Sequence, residues 1–173
     1  MTAAAYRPVG RAGAGEALGA LNALRLPLDV AAVGHGAVLT DLLPADGTIC
    51  SGGHSRFSQL SSPRTPSGGA WPTTRVTGGQ SYTFRWQFTA RHATTDFKYY
   101  VTKAGWNQNH NLARSDLNLT PFLTVPYNSQ QPPATLSHSG TLPSGLSGHH
   151  VILAVWTIAD TGNAFYACSD VTF

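Results

Sequence analysis

Gln80–Ala90 reads QSYTFRWQFTA, and its four aromatic residues, Tyr82, Phe84, Trp86 and Phe88, stand at alternate positions. Successive side chains of an extended chain point to opposite sides, so this two-residue period predicts a strand with one buried face. Phe97–Lys103 (FKYYVTK), Thr120–Val125 and Ala164–Phe173 read as further strands from their β-branched and aromatic content. Val151–Trp156 (VILAVW) is apolar without interruption, the pattern of a strand covered on both faces and therefore central in its sheet. Between these runs, Ser61–Gly79 is rich in Ser, Pro, Thr and Gly, and Tyr127–Gly148 carries Pro132-Pro133 and Gly-containing turns; both read as loops. Leu112–Leu117 is the nearest approach to a helix and is too short to define a fold. The expected architecture is all-β, an antiparallel β-sandwich of the immunoglobulin or fibronectin III type.

The chain has 173 residues, the size of one domain. Charged residues are only 11% of it and the formal net charge is +3, with Lys and Arg scattered. No basic run marks a nucleic-acid surface. No stretch reaches the roughly 20 apolar residues of a membrane span. Residues 1–34, rich in Ala, Gly and Leu and ending Ala31-Ala32-Val33-Gly34, read as a leader that is removed, leaving 35–173 as the domain. It is an irregular leader: a secretory signal has a basic start and an unbroken apolar run of roughly 7–15 residues, and here Arg25, Pro27 and Asp29 interrupt the Leu-rich part. The two cysteines, Cys50 and Cys168, leave two readings open. They are either a bridge closing a loop around most of the domain, which implies an oxidising compartment, or a pair of buried thiols.

Seven histidines are present. His54, His110 and His138 lie in polar sequence and read as solvated, and His149 and His150 border the core strand 151–156. His35, in His-Gly-Ala-Val, and His92, in Thr-Ala-Arg-His-Ala-Thr-Thr, stand out only in a wider context. HGAV after a leader, TARHATTDFKYYVTKAGW, LARSDLNLTPF and SGHHVILAVWTIADTGNAFY, in that order, resemble the bacterial chitin-active lytic polysaccharide monooxygenases of auxiliary activity family 10, once called chitin-binding proteins. LLPADGTICSGG, AWPTTRVTGGQSYTFRW and the ending FYACSDVTF resemble the actinobacterial members.

The resemblance implies a Cys50–Cys168 disulfide and a copper site at which His35, made N-terminal by cleavage after Gly34, binds through its α-amino group and imidazole. The His92 imidazole is the implied third ligand. Three neutral nitrogens in a plane suit Cu(II), and an α-amino group, with a reference pKa of about 7.7–8.0, gives up its proton more readily than a lysine. Phe165 matches the aromatic on the buried axial side of the copper, and Ala90 the small residue that shapes the opposite side. Trp156, Ile158, Asp160 and Thr161 match surrounding positions, with core packing the simpler role for Trp156.

The chain departs from the family in having only a short connector between His35 and Cys50, where many relatives insert a loop with extra disulfides, substrate-facing aromatics and a glutamate near copper. Glu16 is the only glutamate and lies in the leader, which leaves His54 and Arg56 as candidates to line the oxygen pocket instead.

The function implied is oxidative cleavage of β-1,4-linked polysaccharide, above all crystalline chitin, with oxidation at C1. An external electron donor and O2 or H2O2 are the co-substrates. The protein would be secreted, extracellular and monomeric, with insoluble polysaccharide as its partner and neither nucleic acid nor membrane. Cellulose is the nearest rival substrate, and a non-catalytic chitin-binding module the rival from another class. A zinc site is disfavoured, because two histidines lack a third side-chain ligand.

Overall fold

The structure is a computed structural model that describes residues 43–88, 90–161 and 163–173, together with the backbone of Ala5 and Tyr6. The rest of the expected leader 1–34, and His35, lie outside the described residues. Among the described residues eight strands form two sheets: β1 (Ala5–Tyr6), β2 (Thr74–Arg75), β3 (Ser81–Gln87), β4 (Thr94–Val101), β5 (Leu123–Gln130), β6 (Thr135–Thr141), β7 (His149–Ile158) and β8 (Ala164–Thr172). One sheet has the order β1-β3-β6 and the other β2-β8-β7-β4-β5. The expected β-sandwich is therefore found. Its pairings are antiparallel except for the two-residue parallel contact of β2 with β8.

The central position of β7 follows from its sequence. Ile152, Ala154, Trp156 and Ile158 face the core between the sheets, where they meet Phe84 and Trp86 of β3, Phe97 and Tyr99 of β4, and Phe165 of β8. The intervening Val151, Leu153 and Val155 face the other way, into a second cluster with Ile49, Cys50, Leu112 and Leu117. Among the described residues no third sheet covers this outer face. Irregular chain does, from Leu43 to Cys50 and from Leu112 to Leu117, the latter containing the 3-10 turn Arg114–Asp116.

Three ties fasten that cover. Arg114 donates to Asp46 Oδ1 through its backbone N–H (2.9 Å) and its guanidinium (2.8 Å), bonds that hold the Asp46 carboxyl below its usual range. The same guanidinium reaches the Leu43 carbonyl at 2.6 Å. Finally, Cys50 is bridged to Cys168 of β8, with Cα atoms 5.4 Å apart across 118 positions of sequence.

The structure corrects several sequence expectations. Tyr127–Gly148 is not a loop: β5 runs on to Gln130, and β6 occupies Thr135–Thr141. Both were hidden for physical reasons. β5 contains Pro126, which cannot donate to a ladder and is tolerated because β5 is an edge strand. β6, with the sequence TLSHSGT, carries almost no apolar residues. Its Gly140 is required by packing, since a Cβ there would lie 2.8 Å from the Leu123 side chain. The strand expected at Thr120–Val125 begins only at Leu123, and the Ser61–Gly79 loop holds the short β2. Of Leu112–Leu117, only Arg114–Asp116 is helical.

His138 is not solvated. It is 5% exposed and points from β6 into the core, where its ring lies edge-on to Phe97 at 4.6 Å. The Trp86 indole N–H donates to Tyr99 Oη (2.6 Å), and that hydroxyl meets His138 Nδ1 at 2.7 Å. Because the phenol accepts from the indole, its own proton is free to go to Nδ1, and a short polar chain links the two sheets through the apolar core. Burial pushes the His138 pKa down from 6.5 to about 4. His150, also buried, is shifted the same way by burial.

Two outcomes are expected. Replacing both cysteines by alanine should lower the unfolding free energy by about 4 kcal/mol, read from urea titrations of the oxidised and variant proteins. For His138, the unfolded chain takes up a proton as pH drops through 6.5 while the folded chain resists until about pH 4. Its contribution to stability is therefore complete above 6.5, declines between 6.5 and 4 by at most about 3 kcal/mol, and then levels off. In His138→Asn, whose amide oxygen can still accept from Tyr99, the pH dependence of the urea midpoint across that window should be shallower by this share. An unchanged slope would contradict the assignment.

Candidate functional site

His92 sits in the connection between β3 and β4, two residues before β4 begins at Thr94. The connection is held from several sides. Ala159, just past β7, donates its N–H to the Ala93 carbonyl at 2.7 Å. Thr94 Oγ1 accepts the indole N–H of Trp156 (2.7 Å) and donates to the His92 carbonyl (3.0 Å). One buried hydroxyl thus fixes both the histidine's backbone and the tryptophan beside it.

The third support comes from a bulge. Thr94 pairs with Gln130 and Asp96 with Pro126, so Tyr127, Asn128 and Ser129 of β5 bulge out opposite Thr95 alone. Asn128 and Ser129 take left-handed conformations (φ 49° and 60°). The bulge turns the chain so that Gln131 donates to the Arg91 carbonyl at 3.1 Å.

The side chain of His92 is half-buried against an aromatic wall. Its ring centroid lies 5.9 Å from that of Trp156 and 6.1 Å from that of Phe165. Those two rings stack on each other at 4.7 Å, with Trp156 fully buried and Phe165 only 3% exposed. Among the described residues the imidazole nitrogens of His92 have no hydrogen-bond partner, so they remain available to an external ligand. No group of three or more His, Cys, Asp or Glu able to hold a metal exists among the described residues. A metal at His92 would need further donors from outside them.

The expected site residues can now be located. His92 and Phe165 are brought together. Ala90 is partly buried on the main core, two residues before His92. Trp156 is a core residue, as its simpler reading held, and also forms part of the wall beside His92. Ile158 is buried in β7, while Asp160 and Thr161 are exposed in the turn beyond it. His35 lies outside the described residues. His54 and Arg56 pack on Phe57, the first at 6.0 Å between rings and the second at 5.4 Å from the ring centre, and neither makes a hydrogen bond, ion pair or ring contact with His92. Sequence reasoning missed Thr94 and Gln131. The one available signal was a hydroxyl residue two positions after the histidine, a spacing at which it can bond back to the main chain.

The chain matches the family model described as "Lytic polysaccharide mono-oxygenase, cellulose-degrading" over residues 22–171. It is 52% identical over 132 residues to the AA10 family lytic polysaccharide monooxygenase C of Mycosarcoma maydis, covering 74% of this chain and 39% of that protein. Against the GlcNAc-binding protein A of Shewanella oneidensis it is 42% identical over 130 residues, 75% of this chain and 26% of that protein. The chain thus spans about two fifths and a quarter of these relatives.

Among solved structures, an AA10 lytic polysaccharide monooxygenase from Streptomyces lividans is 78% identical, with a TM-score of 0.76 and coverage of 84% of this chain and 83% of that one. A cellulose-active member determined in complex with copper is 29% identical, with a TM-score of 0.67 and coverage of 92% and 78%. With a sandwich that sets the His92 imidazole against stacked Phe165 and Trp156, and with a family match over most of its length, the chain belongs to the AA10 lytic polysaccharide monooxygenases.

Proposed function

We propose that this chain is a secreted, monomeric, copper-dependent enzyme that cleaves the β-1,4 bonds of crystalline chitin with oxidation at C1. The observation that carries the reading is the His92 imidazole, half-buried, without a hydrogen-bond partner at its nitrogens among the described residues, and held against the apolar Phe165–Trp156 pair. A neutral imidazole suits Cu(II), and an aromatic face is no ligand for it. The donor set therefore fits copper, provided that the remaining nitrogens come from His35 once its α-amino group is freed by removal of residues 1–34. Copper bound there would supply one-electron chemistry with an external donor and O2 or H2O2, enough to attack the C1–H bond of a sugar.

The protein's own part is to orient and to exclude. Thr94 and Gln131 hold the His92 connection still, and Ala90, partly buried two residues before His92, would leave room beside a bound metal by its small side chain. Phe165 and Trp156 keep water from one side of the imidazole. Chitin as substrate draws on relatives named GlcNAc-binding proteins. Cellulose is the second reading, favoured by the family description and by the cellulose-active relative. The Cys50–Cys168 bridge agrees with an oxidising, extracellular setting.

His92→Ala should weaken copper binding by more than about 100-fold, beyond the usual cost of losing a group that only supports a ligand. It should also abolish oxidised chito-oligosaccharides while leaving adsorption to chitin largely intact. Products from this variant at the parent rate would overturn the monooxygenase reading in favour of a passive chitin-binding module. The uncleaved chain and one beginning at His35 should differ in the same way. An amide nitrogen at position 35 holds its proton too tightly to replace an amine, so copper affinity and activity should appear only in the shorter chain, and should fall with pH as the ligands protonate. Equal affinity and activity in both forms would refute the role of His35. Parallel assays on cellulose decide between the substrates.

A further inference from the structure

At the far end of β7, about 23 Å along the strand from Trp156, lies a pocket of about 310 Å³ lined by Arg64, Trp71, Thr73, Gln108, Asn109 and His149. It belongs to neither the His92 site nor the core, and its hydrogen bonding is one-sided. The Asn109 side-chain oxygen is taken by the Arg64 guanidinium at 3.1 Å. The Gln108 side-chain oxygen is taken by His149 Nδ1 at 2.6 Å. Thr73 Oγ1 accepts from the Thr172 hydroxyl at 2.7 Å.

Each of these side-chain acceptors already takes one hydrogen bond, while the amide NH2 groups of Asn109 and Gln108, the Thr73 hydroxyl proton and the other guanidinium N–H groups of Arg64 have no acceptor among the described residues, so the lining is richer in open donors. The charge points the same way. Among the described residues Arg64 has no carboxylate partner, and the Asp170 carboxylate, 0% exposed, stands behind His149 at 2.7 Å from Nε2. Both ring nitrogens of His149 are engaged, by Gln108 and by Asp170, so Arg64 is the lining residue whose charge is open to a ligand. The lining is also held in place: the Trp71 indole N–H is fixed to the Ser62 carbonyl (2.9 Å), and the Trp106 indole N–H to the His149 carbonyl (2.8 Å).

A pocket that offers these donors and the Arg64 guanidinium favours a ligand rich in acceptors and negatively charged. We propose that this pocket binds a small oxyanion, a carboxylate or a phosphate, through Arg64 with the amides of Gln108 and Asn109. The two sources of that chemistry are a free inorganic anion and the carboxylate end of an oxidised sugar. The site stands independently of the copper reading.

The test is NMR titration of the full chain with inorganic phosphate, with gluconate and, as a neutral control, with glucose. Phosphate or gluconate should shift the backbone amides of residues 63–73 and 107–109 saturably. The anion that binds more tightly names the source, and glucose should do nothing. Arg64→Ala removes an exposed side chain and should fold normally, yet weaken binding by on the order of tenfold, as loss of a charged hydrogen bond does. His92→Ala should bind the anion like the parent, which separates this site from the copper site. Absence of saturable shifts with either anion, equal shifts with glucose, or undiminished binding in Arg64→Ala would each overturn the proposal.

Discussion

A strand apolar on both faces has to be covered twice, and most of this structure is the means by which β7 is covered. On one side the small sheet brings Phe84 and Trp86 onto it. On the other, where no sheet is available, the chain from Leu43 and the Leu112–Leu117 region close over Val151, Leu153 and Val155. Irregular chain makes a poor cover by itself, because its backbone polar groups must be satisfied locally and it gains no cooperative ladder. Ionic and covalent fastenings therefore concentrate there, at Arg114 with Asp46 and Leu43 and at the disulfide, while the inter-sheet face depends on aromatic packing and the Trp86–Tyr99–His138 chain.

The same strand sets out the functional geography. One of its ends, at Trp156 and Ile158, pairs with the start of β4 and with β8, so that His92, Thr94 and Phe165 come together from three separate stretches of sequence. Its other end, at His149, supports the donor-lined pocket. The two places share a scaffold of ladder hydrogen bonds and no side chains.

What could be read in the sequence divides along physical lines. β3 and β7 announced themselves because burial imposes a pattern on them, alternating in one and continuous in the other. β6 was silent, since an edge strand needs only backbone pairing and accepts Thr, Ser and Gly as readily as a loop does. His138 was misjudged for the same reason: its neighbours in sequence are polar, while its neighbours in space are Phe97 and Tyr99. At the site, His92 and Phe165 could be matched through resemblance, whereas Thr94 and Gln131 could not. Their role is to hold a carbonyl, which depends on a register and a bulge rather than on residue type.

The disulfide also imposes an order of events. Cys50 is made early, but its partner lies 118 positions later, in the last strand. Until the last strand has been synthesised, no correct thiol exists for Cys50 to meet, and the cover over the outer face of β7 lacks its covalent fastening. Before that, Val151, Leu153 and Val155 depend for their cover on noncovalent contacts alone.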